Sequence, residues 1–285
     1  MKIIAELCQN HNGDMKILKE MVKKAAENGA DICKIQTIRA KDLIYWKHNE
    51  EFRPYLQEYK RLQEFELTVE DEKKFVEYCK EFGVESMTTL FTLNHGKTVE
   101  DFNEIGYRNL KISGYSIPYL KFDITKLFRG KYKLKFDHLY FSTSSLTYEE
   151  IKDAINIFQK QDISFTMMNC TCIYPTPLEK LNLQNIPFYK EHFKLDTIGL
   201  SDHSNPHEDN LLSSKLAIFQ GIDALERHFT ILDKDDTRDG KVSITPDMLK
   251  EIKRFSELSK EEQYKEINEF NETQKFNHSY YRERF

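Results

Sequence analysis

Cysteine is scarce in this chain, five among 285 residues, and no two of the five are spaced as Cys-x-x-Cys. An odd count without that pairing argues for reduced thiols rather than a disulfide framework. Long apolar runs are missing as well. None approaches the roughly 20 residues a membrane-spanning helix requires. The opening MKIIAELC is too short for a signal peptide and leads straight into polar residues, so a cytoplasmic protein is expected. No single charge sign dominates: 42 Lys and Arg stand against 47 Asp and Glu, well mixed, for a formal charge of −5. Nucleic-acid binding, which needs a concentrated basic surface, is not expected, whereas a small anion would need only a local basic pocket. Neither G-x-G-x-x-G nor a Walker sequence occurs, which removes the usual nucleotide fingerprints of open α/β sheets.

What the chain does contain is a rhythm. Apolar, β-branched and aromatic runs appear at 2–8, 31–38, 84–91, 109–114, 138–144, 164–170, 196–202 and 223–229. Helical spacing lies between them. In 15–30, Ile17, Leu18, Met21, Val22 and Ala25 share a face and Gly29 stands where a C-terminal cap belongs. Thr68 with Asp71, and Thr147 with Glu150, read as helix-opening capping boxes. Strands alternating with helices imply parallel pairing, and eight such units close into an α/β fold of one (β/α)8 TIM barrel. An open doubly wound sheet is the alternative. The barrel is expected over residues 1–252, with 253–285 a short charged C-terminal extension.

In such a barrel the C-terminal strand ends converge on one face, so polar residues there are candidates for a ligand site. They are Glu6, Asn10, His11 and Asn12; Lys34 and Gln36; Thr88, Thr89 and Thr92; Lys111 and Ser113; Ser142 to Ser145; Tyr174; Ser201, Asp202 and His203; Glu226 and His228. Lys34 and Lys111 sit mid-strand between apolar neighbours, where a lysine needs a partner. Either a buried carboxylate such as Glu6 or Glu226 supplies it, or a bound phosphate or carboxylate does, and two lysines beside several hydroxyls favour the anion. A Schiff-base lysine is a third reading. His203 and His228, ending successive strands, should be neighbours able to hold a divalent cation whose other positions stay open. Asp202 and Glu226 could orient them or handle protons. Cys170 and Cys172 alternate along an apparent strand and are expected to pack in the core.

At these residues the chain resembles the sialic acid synthase (N-acetylneuraminate synthase) family. The resemblance rests on an ordered set of segments: IAELCQNHNGD (4–14), GADICKIQT (29–37), LKISG (110–114), CTCIYPTP (170–177), GLSDHS (199–204) and ERHFT (226–230). It implies a (β/α)8 barrel and a transferase that joins phosphoenolpyruvate to an open-chain, N-acylated amino-sugar aldehyde, giving a nonulosonic acid and phosphate. It also implies a homodimer and a divalent metal, typically Mn2+, with Mg2+ or Co2+ as substitutes. By the same resemblance His203 and His228 bind the metal. Lys34, Thr89, Lys111, Ser113, Ser142 and Ser201 hold phosphoenolpyruvate, and Gln36, Tyr174 and Asp239 face the sugar. Glu6, Glu226 and Asp239 are the catalytic candidates.

The chain also departs from that family. Cys172 stands where members often carry Asn or Ser toward the phosphate, the KISG of KISGYS is a residue shorter than the KIGSG of the usual KIGSGE, and STSS replaces a common STGM. The family's antifreeze-like C-terminal domain, which brings an arginine to the partner's sugar site, is not expected. Arg282 or Arg284 could stand in for it, but a solvated tail is the expectation. Two other functions are kept in view: a metal-independent Schiff-base aldolase using Lys34 or Lys111, and a non-catalytic sugar-binding barrel.

Overall fold

A computed structural model describes residues 1–269 apart from 44, 46, 48, 49, 52, 53, 92–96 and 121–132. Eight parallel strands close into a barrel in sequence order. They are β1 (Lys2–Cys8), β2 (Ile32–Thr37), β3 (Glu85–Leu90), β4 (Asn109–Ile112), β5 (His138–Ser142), β6 (Phe165–Cys170), β7 (Ile198–Asp202) and β8 (Ala224–His228). Each lies inside one of the eight runs read from the sequence. β1 pairs with β8, Glu6 opposite His228, which closes the ring.

The connecting helices form where amphipathic spacing and caps coincide. α1 (Met15–Glu27) starts at Asp14, whose carboxylate accepts from Lys16 N at 2.7 Å, and buries Leu18, Met21, Val22 and Ala25 against the sheet. Burial of each larger side chain contributes about 1.5–3 kcal/mol. The chain leaves this helix through Gly29 at φ 97°, a left-handed conformation that glycine adopts without cost. Then come α2 (Tyr55–Phe65), α3 (Val69–Phe82), α4 (Lys97–Ile105), α5 (Tyr148–Lys160), α6 (Asn185–His192), α7 (Leu212–Phe219), α8 (Pro246–Glu257) and α9 (Lys260–Glu269). Both expected capping boxes form, at Thr68–Asp71 for α3 and Thr147–Glu150 for α5. Helix α8 runs across residue 252, and among the described residues no helix is long and apolar enough to cross a membrane.

Strand alternation sorts the side chains into two cores. Ile3, Ala5 and Leu7 of β1, like Cys33 and Ile35 of β2, face outward into the large cluster shared with the helices. Ile4, Ile32, Met87, Tyr140, Met168 and Ala224 point to the barrel axis and form a separate apolar floor. Two residues further along each of those six strands stand Glu6, Lys34, Thr89, Ser142, Cys170 and Glu226, all lining one cavity. The period of two thus lifts the axis from an apolar layer to a polar one in a single step.

Candidate active site

The cavity at the C-terminal ends of the strands has a volume of about 90 Å3. Its deepest polar layer is a chain of charges. Lys34 Nζ is hydrogen-bonded to Glu6 Oε2, donates to Thr89 Oγ1 at 2.9 Å and lies 3.5 Å from Glu226 Oε1. Lys111 Nζ donates to the same Glu226 oxygen at 2.5 Å and to Ser201 Oγ at 3.2 Å; that hydroxyl in turn donates to Glu226 Oε1 at 3.0 Å. So Glu226 is a partner of both lysines and Glu6 a second partner of Lys34. Burial alone would push the Glu226 carboxyl up, but the Lys111 and Lys34 ammoniums outweigh it and hold the group well below the usual carboxylate range. Burial would likewise lower Lys34; Glu226 and Glu6 reverse that and keep it charged. Glu226 Oε2 is buried with no hydrogen-bond partner among the described residues. Such an unmet acceptor costs about 1–3 kcal/mol and awaits a donor.

Hydroxyls complete the wall. Ser142 and Ser144 are 2.9 Å apart, as are Ser113 and Ser116, and Ser113, Ser142 and Ser144 line the cavity with Gln36. This side of the barrel is tightly drawn in. A Cβ on Gly114 would lie 1.9 Å from the Ser144 carbonyl oxygen, so the close approach of the segments following β4 and β5 requires glycine there.

Above this layer the two imidazoles meet. The ring centroids of His203 and His228 are 5.1 Å apart with their planes at 71°, and Tyr174 lies against His203 at 4.4 Å and His228 at 5.9 Å. His203 Nδ1 is 2.8 Å from the Thr171 carbonyl oxygen. A carbonyl only accepts, so Nδ1 carries the proton and Nε2 the lone pair. Nε2 faces the Tyr174 hydroxyl at 3.1 Å. His228 Nδ1 is buried without a hydrogen bond and lies 3.3 Å from Asp239 Oδ2. A carboxylate beside one ring and a carbonyl beside the other are the outer supports that metal-binding histidines use. The donor set therefore fits a divalent cation.

Of the residues expected at the strand ends, the structure brings Glu6, Lys34, Gln36, Thr89, Lys111, Ser113, Ser142, Tyr174, Ser201, His203, Glu226 and His228 to one cavity. Asp239 is reached through His228 and is not among the cavity-lining side chains. Asp202 corrects an expectation. Standing between two inward residues, it points outward, where it pairs with Arg227 at 2.6 Å and accepts from Ser213 and Ser214. It braces β7 against β8 and α7 and does not orient the imidazoles. Asn10 ties β1 to the loop after β8 through Phe229 O and Ser243 Oγ. His11 accepts from Gly13 N, and burial lowers its pKa to about 4, so it stays neutral in this turn. Cys172 is exposed and Cys170 half-buried, both on the cavity wall and not in the core as expected. The strand ends at Cys170, so alternation carries the thiols past the packed layers. Phe91 and Tyr115, which stack at 5.7 Å and line the cavity, were not anticipated. Continuing the period of two beyond β3 from Thr89 would have found Phe91. Thr92, Arg282 and Arg284 lie outside the described residues.

Comparison with known proteins gives the same direction. A sequence model of the NeuB family matches residues 21–266. The N,N'-diacetyllegionaminic acid synthase of Campylobacter jejuni is 31% identical over 262 residues, covering 87% of this chain and 73% of that protein. The enzyme of the same name from Legionella pneumophila is 30% identical over 266 residues, 88% of this chain and 69% of that one. In fold, the N-acetylneuraminic acid synthetase of Leptospira borgpetersenii superposes with a TM-score of 0.75 at 24% identity, covering 90% of this chain and 82% of that chain.

Proposed function

The chain belongs to the NeuB family, and from that premise we propose that it condenses phosphoenolpyruvate with the open-chain aldehyde of an N-acylated amino sugar, yielding a nonulosonic acid and phosphate. The observation that carries this reading is the stacking of two layers in one cavity: paired imidazoles 5.1 Å apart above a Lys34–Glu226–Lys111 cluster.

Lys34 and Lys111, with Thr89, Ser113, Ser142 and Ser201, hold the phosphate and carboxylate of phosphoenolpyruvate and turn its C3 toward the aldehyde. Gln36 and Tyr174 face the sugar, with Asp239 on the sugar side behind His228. His203 and His228 would hold a divalent cation, Mn2+ first with Mg2+ or Co2+ as substitutes, and such an ion supplies Lewis-acid polarisation of the aldehyde oxygen. As the carbon–carbon bond forms, positive charge grows at C2 of the enol phosphate. Water adds there and phosphate leaves by C–O cleavage. Glu226, ionised between its lysines with Oε2 unpaired, would offset that charge; Glu6 and Asp239 are the candidates for proton transfer. A Schiff base on Lys34 is disfavoured, because Lys34 is held protonated by two carboxylates and an ammonium is no nucleophile. We place the enzyme in the cytoplasm as a homodimer, with the barrel over 1–252 and a charged extension over 253–285.

Phosphate release from phosphoenolpyruvate, assayed against a panel of aldoses, is the test. It should require both an N-acylated amino sugar and a divalent ion and stop with EDTA. Turnover that survives EDTA, or borohydride trapping of a substrate on Lys34 or Lys111, would replace this reading with the aldolase.

A further inference from the structure

Three of the chain's five cysteines lie near the imidazoles, and two of them share one wall with His203. One donor atom from each of Cys170, Cys172 and His203 lies within 4.8 Å of the other two. Residues two apart on extended chain present their side chains to the same side. Here the alternation of β6 continues past its end, through half-buried Cys170 to exposed Cys172. The wall is held in place. Cys170 N donates to Thr143 Oγ1 at 3.1 Å, Thr171 Oγ1 donates to the Lys180 carbonyl at 2.9 Å, and Thr176 N donates to the His203 carbonyl at 2.8 Å. Cys170 Sγ is 3.9 Å from His203 Nδ1.

We propose that Cys170, Cys172 and His203 form a binding site for a soft transition-metal cation of the Zn2+ class, separate in ligand chemistry from the two-imidazole centre. Thiolates select soft ions, whereas Mn2+ and Mg2+ prefer oxygen. Sulphurs bound about 2.3 Å from a tetrahedral ion stand about 3.8 Å apart. Closing from at most 4.8 Å to that spacing takes at most about 1 Å of movement, which an exposed Cys172 side chain can supply by rotation. No oxidation is involved: each thiol, and the His203 Nδ1 that lies 3.9 Å from Cys170 Sγ, gives its proton to solvent as its bond to the metal forms, Nδ1 giving up the Thr171 carbonyl, and water takes the fourth position. Binding at the thiols does not depend on the condensation reading.

The test is X-ray absorption at the zinc edge on the reduced, full-length protein carrying one equivalent of Zn2+. The expected spectrum contains two sulphur neighbours at about 2.3 Å, and Cys170→Ser and Cys172→Ser should each remove one of them. Serine is close in size to cysteine, and thermal melting of each variant reports whether the fold is kept. A shell of nitrogen and oxygen alone at about 2.0–2.1 Å would overturn the proposal. So would a two-sulphur shell that persists in the serine variants, since Cys8 and the remaining thiols would then be its source.

Discussion

Lys111 carries more of the argument than any other single side chain, because its ammonium both neutralises a buried carboxylate and faces the expected anion. Breaking a buried ion pair by removing one partner costs about 3–5 kcal/mol. Lys111→Met should therefore lower stability by an amount in that range, reduced by the Lys34 ammonium 3.5 Å from the same Glu226 oxygen. Adding Glu226→Gln should return most of the loss in denaturant titrations. In kinetics the Lys111 variant should raise the KM for phosphoenolpyruvate more than that for the sugar; the reverse pattern would move this lysine to the sugar subsite. The imidazoles make a sharper case. Loss of a mere supporting group around a metal ligand costs about 10–100-fold, so His203→Ala or His228→Ala should cut turnover at least a hundredfold while melting stays cooperative. Full activity in both variants would remove the metal from the account. These residues were legible in the sequence because a charged or imidazole side chain inside an apolar run needs a reason. The partners of the lysines were not settled, since whether Glu6 or a bound anion meets Lys34 depends on the registers of β1, β2 and β8, which strand composition does not encode.

At the scale of elements, the strands were readable to within a residue or two because burial on both faces leaves short apolar runs, and the capping boxes of α3 and α5 marked the helix starts. Cys172 escaped that reading, for alternation looks the same on either side of a strand's end, and only the fold tells where β6 stops. The packing of α9 was hidden too, in a charged stretch expected to be solvated. Lys215 of α7, 6% exposed, bridges Glu251 of α8 at 2.8 Å and Glu266 of α9 at 2.7 Å, while Arg254 also reaches both carboxylates. Hydrogen bonding to Arg254, with Lys215 in support and burial opposing, lowers the Glu251 carboxyl from 4.5 to about 2. A carboxylate lowered on folding stabilises fully above its unfolded value and loses that contribution as it is protonated. Burial would raise Glu266, the carboxylate that α9 itself brings, but Lys215 and Arg254 likewise lower it, so docking of α9 should hold above the ordinary carboxylate range and weaken as pH falls below it. Hydrogen exchange, corrected for intrinsic rates, should then show the amides of 260–269 losing protection before those of β7 and β8. Simultaneous loss in all three would mean the network does not hold α9.

For the molecule as a whole, one physical device organises the site. The strands' period of two places an apolar floor, then a lysine–carboxylate layer that includes Cys170, then the imidazoles, one above another along the barrel axis. The closed barrel was legible from eight repeated units and the absent nucleotide motifs, and the polar strand ends pointed to its working face. The acceptor sugar was not, because cavity-lining residues beyond the strand ends, such as Tyr115, stand on connecting segments where spacing carries no periodic signal. The central claim is that this axis joins phosphoenolpyruvate to an aldehyde with C–O cleavage. Running the reaction in water enriched in the heavy oxygen isotope and weighing both products tests it most directly. The account predicts one heavy oxygen in the sugar acid and none newly placed in the released phosphate; heavy oxygen in the phosphate and none in the acid would contradict it.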